Sequence, residues 1–194
     1  MTNKFDPFRH HRRTIRLKGW DYASAAAYFV TICTYQRQNL FTNEPFCRIV
    51  ENSWPNIPDH PHARFVKLDE WIVMPNHMHG IIIITETICR DVKYETKTSP
   101  DKDILISDAS SLRSAPAGSL GVLIGNFKSV VTRRINRIRK SQGAKVWQRG
   151  YYERIVRNER ELNAIRQYIR ENPRRWSEDR ENLDNIINRM DQMH

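Results

Sequence analysis

Four consecutive isoleucines, Ile81 to Ile84, constrain this chain more than any other feature. Four large β-branched residues in a row leave no polar side to face water, so they suit a strand covered on both faces. His77-Met-His79-Gly80 leads directly into the run. On a strand, side chains two apart point the same way, so His77 and His79 project together, roughly 7 Å apart at the backbone. That is within reach for two imidazoles to share one metal ion. A hydrogen-bonded or solvated pair fits the same spacing.

A second candidate lies far along the chain. Asn158 to Glu171 reads as a helix, with Leu162, Ile165 and Ile169 as its apolar stripe and Pro173 as its stop. Tyr168 and Asn172 are four apart and share a neighbouring stripe one turn from each other. Beside two metal-bound histidines, a phenol oxygen and an amide oxygen would make a phosphate-transfer site. Separately, Tyr168 is also suited to half-buried packing, and Asn172 before Pro173 to ending a helix.

The remaining elements follow from periodicity. Tyr28–Tyr35 and Ala63–Met74 read as strands, and Pro75-Asn76 as a tight turn into His77–Thr85. Pro45–Trp54 reads as a helix capped by Asn43, and Trp147–Val156 as a last strand. Leu120–Arg139 is the plainest helix: Leu120, Ile124, Phe127, Val131, Ile135 and Ile138 recur at four and three. Its other side carries Lys128, Arg133, Arg134, Arg137, Arg139 and Lys140, with no acid from Leu120 to Lys145. A solvated helix face normally mixes signs, so a phosphate-binding surface is the better reading. The order is strand, helix, strand, strand, helix, strand, then helices. This predicts an α+β, ferredoxin-like βαββαβ fold, an antiparallel sheet with helices on one face and an additional C-terminal helix.

A length of 194 residues suits one domain. Residues 1–19 form a basic arm, either a solvated tail or a strap along a sugar-phosphate backbone through Arg12, Arg13 and Arg16. Residues 20–176 form the domain, with a polar, aperiodic insertion at 87–118. Residues 177–194 carry an amphipathic helix through Leu183, Ile186, Ile187 and Met190. Lys and Arg number 32 against 22 Asp and Glu, a formal charge of +10 that favours a polyanionic partner. No apolar run reaches membrane-spanning length, and the charged N-terminus lacks the apolar core of a signal peptide. Cys33, Cys47 and Cys89 match neither a zinc knuckle nor a disulfide framework. A cytoplasmic protein with reduced thiols and no membrane partner is expected.

The His77-Met-His79 segment after a buried strand resembles the histidine-hydrophobe-histidine motif of single-strand DNA nucleases. Tyr168-Ile-Arg-Glu-Asn-Pro173 resembles the catalytic-tyrosine helix of the REP-associated tyrosine transposases, relatives of the single-tyrosine transposases of small insertion sequences. Arg16-Leu-Lys-Gly-Trp-Asp-Tyr22 and Ala27-Tyr-Phe-Val-Thr-Ile-Cys-Thr34 look like the family's first strand. Trp147-Gln-Arg-Gly-Tyr-Tyr-Glu153 with Ile155-Val-Arg157 looks like its last. The resemblance covers roughly residues 12–86 and 119–176. This chain departs from many relatives at Arg154, where they carry histidine.

The resemblance implies a metal-dependent endonuclease that cuts and rejoins single-stranded DNA folded into palindromic hairpins. His77, His79 and Asn172 would hold magnesium or manganese. Tyr168 would attack the phosphate, leaving a 5′-phosphotyrosine and a free 3′-hydroxyl. Arg12, Arg13, Arg16, Lys128, Arg133, Arg134, Arg137 and Arg149 would hold the DNA backbone, and of Trp147, Tyr151 and Tyr152 some would stack on bases, with core packing the better role for at least one. A monomer is expected, with the homodimer of insertion-sequence relatives as the alternative. Two other readings stay open. One is a nucleic-acid-binding domain without catalysis. The other is a structural zinc site, which would need a further strong ligand.

Overall fold

In the computed structural model, which describes residues 19–61, 63–86 and 118–178, four strands and three helices alternate. They are β1 (Ala26–Cys33), α1 (Glu44–Ser53), β2 (Val66–Met74), β3 (His77–Ile84), α2 (Leu120–Ile138), β4 (Tyr152–Val156) and α3 (Glu159–Glu171), followed by a 3-10 turn over Asn172–Glu178. The arm with Arg12, Arg13 and Arg16, the insertion up to residue 117 and the C-terminal amphipathic helix lie outside the described residues. Among those described, no helix is long and apolar enough to cross a membrane.

The sheet is antiparallel throughout, in the order β2-β3-β1-β4. This is the ferredoxin-like arrangement, with the histidine strand at its centre. Side-chain alternation then divides β3 between two environments. Met78, Ile82 and Ile84 join Tyr28, Val30 and Ile32 of β1 in a core closed by α1 and α2. Ile81 and Ile83 face the opposite way, with Phe29, Ile72 and Val156, and are covered by Leu162, Ile165 and Ile169 of α3. The two crossover helices thus lie on one face, as the plan requires, and α3 closes the other. The double apolar character of the isoleucine run is the reason a second cover is needed. Each fully buried isoleucine contributes about 1.5–3 kcal/mol relative to exposure.

Local chemistry sets the helix ends. The Asn43 side chain accepts from the Phe46 N–H at the start of α1, and Asn158 accepts from Glu161 N–H at the start of α3. The last strand is shorter than periodicity predicts. Trp147 makes only an isolated bridge to Thr34, and Gly150 turns the chain at φ 75° before β4 begins at Tyr152. Register shifts between Leu68 and Trp71 bulge β2 outward at Asp69 and Glu70.

Gly80 is a close-approach glycine. The indole of Trp54, fully buried after α1, lies against it, and a Cβ there would come 2.4 Å from that ring. Strand β3 therefore needs glycine at this point to let α1 approach. Gly80→Ala should destabilise the protein by about 1–3 kcal/mol through overpacking, read as a lowered urea midpoint with an unchanged slope.

Candidate active site

On the α3 face of the sheet, the strand alternation gathers polar and aromatic side chains. His79 is flanked across the strands by Thr31 and Ile72, and His77 by Cys33 and Met74. Both histidines are buried, and their Nε2 atoms lie 2.9 Å apart. Each ring is held from behind. Thr31 Oγ1 is 2.8 Å from His79 Nδ1, and Asn76 Oδ1 is 2.9 Å from His77 Nδ1. Phe29 stacks on the His79 ring, with centroids 5.4 Å apart. The Trp176 ring lies 5.8 Å from that of His77.

The hydrogen bonds fix protons. The Asn76 amide is oriented because its Nδ2 donates to the Arg37 carbonyl, so its oxygen accepts from His77 Nδ1–H. His77 Nε2 therefore presents a lone pair toward His79. Burial, and secondarily the Arg37 guanidinium, push the His77 imidazole down to about 3, which keeps it neutral. Arg37 itself sits in a left-handed turn, with Gln36 at φ 52° and Arg37 at φ 54°. Asn76 pins this turn together with Thr34, whose hydroxyl lies 2.7 Å from the Gln38 carbonyl.

Two facing imidazole nitrogens at 2.9 Å need something between them. A proton on His79 Nε2 satisfies the contact if Thr31 donates to Nδ1. A cation satisfies it equally. Adjacent ligands of an octahedral shell with bonds of roughly 2.0–2.1 Å lie about 2.9 Å apart. Among the described residues, no group of three His, Cys, Asp or Glu side chains gathers to hold a metal. A third protein ligand would therefore come from a neutral oxygen, and one stands nearby. Asn172 is 3% exposed, and its Oδ1 has no hydrogen-bond partner among the described residues. It lies on the chain between Tyr168, which contacts His79, and Trp176, which contacts His77. An imidazole pair with an amide oxygen fits a hard divalent ion that keeps open positions, and fits structural zinc poorly.

Tyr168 projects from α3 with its hydroxyl 3.3 Å from His79 Nε2. Its ring meets Phe29 edge-on, yet it is 44% exposed. It is thus held by the pair and open to a ligand. Ion pairs set its helix on the sheet. Arg166 grips Asp69 of the β2 bulge through Nε and Nη2, at 3.0 and 2.6 Å, and holds that carboxyl below its usual range. Arg170 reaches Glu70 at 3.5 Å.

The residues expected to hold nucleic acid are dispersed. Tyr152 is 40% exposed on the site face, edge-on to Phe29. Trp147 instead packs in the other core, between Phe41 and Phe127, so it offers no surface for stacking. Tyr151 is half-buried against that same core. Lys128 donates to the carbonyls of Gln148 and Gly150 at 2.7 and 3.0 Å, and burial pushes it down to about 8. It braces the turn before β4. Arg134 donates to Ser53 Oγ of α1. Arg133, Arg137 and Arg149 are exposed, but α2 covers the face of the sheet opposite the histidines. Sequence reading did not find Thr31, Asn76, Phe29 or Trp176. For Thr31 and Phe29, the alternation of β1 held the only signal, and their meeting with His79 depends on cross-strand register.

No family model matches the chain. An uncharacterised protein of Haemophilus influenzae is 33% identical over 187 residues, spanning 92% of this chain and 97% of that protein. A solved structure of a REP-associated tyrosine transposase bound to a REP hairpin aligns over 82% of this chain and 73% of that one, with 17% identity and a TM-score of 0.47. A Deinococcus radiodurans protein named as a transposase aligns over 80% of this chain and 95% of that one, with 15% identity and a TM-score of 0.39.

The neutral, buried state of His77 has a pH signature. The unfolded chain takes up a proton near pH 6.5, whereas the folded protein resists it down to about 3. The stability contributed is complete above the unfolded value and is lost as pH falls through this window, at about 1.4 kcal/mol per pH unit. Urea unfolding with chelator present, at pH 6.5 and pH 5, should show His77→Gln losing less stability than wild type by about 1.5–2 kcal/mol.

Proposed function

We propose that this chain, which belongs to the same family as the Haemophilus influenzae protein, is a transposase-like enzyme that cuts and rejoins single-stranded DNA through Tyr168. The match runs nearly end to end in both chains, so the proposal extends to that relative. The observation that carries it is the Tyr168 hydroxyl 3.3 Å from His79 Nε2, itself 2.9 Å from His77 Nε2. The phenol is exposed beside a paired-histidine site that suits a divalent ion. The substrate class, DNA that folds into palindromic hairpins, is proposed from the motif resemblance at His77–His79 and Tyr168–Pro173.

In this reading His77, His79 and Asn172 hold magnesium or manganese, which supplies charge stabilisation to the scissile phosphate. Asn76 and Thr31 keep the two rings turned inward, and Phe29 backs His79 against tilting. The Tyr168 oxygen forms a bond to phosphorus as the bond from phosphorus to the 3′ oxygen breaks. The proton lost by the phenol is balanced by the one gained on the departing 3′-hydroxyl. The 5′-phosphate stays on the tyrosine, and attack by a 3′-hydroxyl reverses the step without a nucleotide cofactor.

The test is a hairpin oligonucleotide incubated with the protein and manganese, then resolved under denaturing conditions. Wild type should yield a covalent adduct. Tyr168→Phe should bind the DNA with similar affinity and form adduct at least about 10³-fold more slowly, because only the nucleophile is removed. The His77→Ala/His79→Ala variant should give no adduct and lose manganese binding by calorimetry. DNA binding without any wild-type adduct would favour the non-catalytic nucleic-acid-binding reading.

A further inference from the structure

Beyond the histidines, the site face carries a second feature. A shallow, largely open depression lies between the edge strand β4 and the first turn of α3, lined by Arg154, Arg157, Asn158, Arg160, Glu161 and Ala164. Three guanidiniums and one carboxylate leave it strongly positive. Glu161 is already engaged by Arg154, at 2.6 and 2.7 Å, and by the Arg157 backbone N–H at 2.9 Å. The Asn158 side chain is occupied in capping the helix. Arg157 and Arg160 are exposed, and among the described residues neither guanidinium makes a hydrogen bond or ion pair. Two cations thus border the depression, and Glu161 feels the charge of Arg157.

The depression lines up with the reacting centre. Arg160, Ala164 and Tyr168 follow one another at four residues on one stripe of α3, with Asn172 at its C-cap, while Arg157 stands just before the N-cap Asn158. Arg160 is two turns from Tyr168, roughly 12 Å along the axis. Tyr152 stands on the same sheet face as Arg154, two residues before it on β4. It is exposed and edge-on to Phe29, which in turn stacks on His79. From Tyr168 outward, the surface therefore offers a nucleophile, an exposed aromatic ring and a basic depression in which Arg157 and Arg160 are exposed. Base and phosphate alternate along a single strand in just this way, whereas a free anion has no use for the ring.

We infer that the Arg154–Arg157–Arg160 depression is a phosphate subsite for the single strand flanking the cleavage point, with Tyr152 as the stacking platform between it and Tyr168. This rests on the proposed cutting of DNA at Tyr168. Arg154 shapes the depression while paired to Glu161. Arg157 and Arg160 make the phosphate contacts.

The experiment uses the full chain, with chelator to prevent cleavage, and hairpin DNA carrying single-stranded flanks on both sides. Anisotropy titrations are run on a series in which one neutral methylphosphonate linkage is stepped along the flanks. Wild type should show a local loss of affinity at one or two adjacent positions. Arg157→Gln/Arg160→Gln, both exposed and outside the ion pairs of α3, should lose that local sensitivity. Two lost contacts on a single strand flatten the slope of log affinity against log salt by about 1.4. The fall in affinity between roughly 50 and 200 mM salt should then be about sevenfold smaller. Arg157→Lys/Arg160→Lys should keep the wild-type slope. A double-glutamine variant with the wild-type methylphosphonate profile overturns the subsite, whether or not its overall affinity falls. Failure of the wild-type protein to form a tyrosine adduct would remove the cleavage reading and leave this binding profile to stand or fall by itself.

Discussion

The molecule depends on a central strand that is covered from both sides. Burial on the α1–α2 side gives β3 its stability, through Met78, Ile82 and Ile84 in the larger core. Burial on the α3 side decides its chemistry. An imidazole in such a place cannot carry a charge cheaply, so His77 is neutral and tethered by Asn76, and its Nε2 lone pair has one direction left to face. His79 is held the same way by Thr31. The pair converges because the strand offers it no alternative, and Tyr168 meets it because the helix that must cover Ile81 carries that tyrosine on the adjoining stripe.

The two faces thus divide the work. One holds most of the apolar contacts, including Trp54, Phe127 and Trp147. The other has a small apolar patch and nearly all the convergent polar groups. The basic side of α2 belongs to the first face. A polyanion that touched both Arg137 and Tyr168 would have to pass around an edge of the sheet, and β4 is one of its two edges. Tyr152 and Arg154 stand on that strand.

Local signals were legible in the sequence and cross-strand ones were not. The stripes of α2 and α3, the caps at Asn43 and Asn158 and the paired direction of His77 and His79 all depend on residues within a few positions of one another. Trp147 was a candidate for base stacking at the head of an expected strand. Gly150 breaks that strand and leaves the indole beneath α2, which local pattern does not reveal. Lys128 read as one more cation on a basic face. Its two acceptors lie 20 and 22 residues away on a turn whose path is set by tertiary packing. Thr31 was an ordinary strand threonine until the register placed it opposite His79.

The attachment of α3 has a consequence of its own. Its buried anchors are Leu162 and Ile169, with Ile165 and Tyr168 packed beside them, and charge pairs rim the contact, through Arg166 with Asp69, Arg154 with Glu161 and Arg170 with Glu70. Apolar anchorage is not screened by ions, but a rim of charge pairs is, within roughly 10 Å at moderate salt. The nucleophile is thus carried by a layer whose attachment is partly ionic, over the smaller of the sheet's two apolar faces. Raised ionic strength therefore loosens the seating of Tyr168 more than it loosens the larger core on the other face.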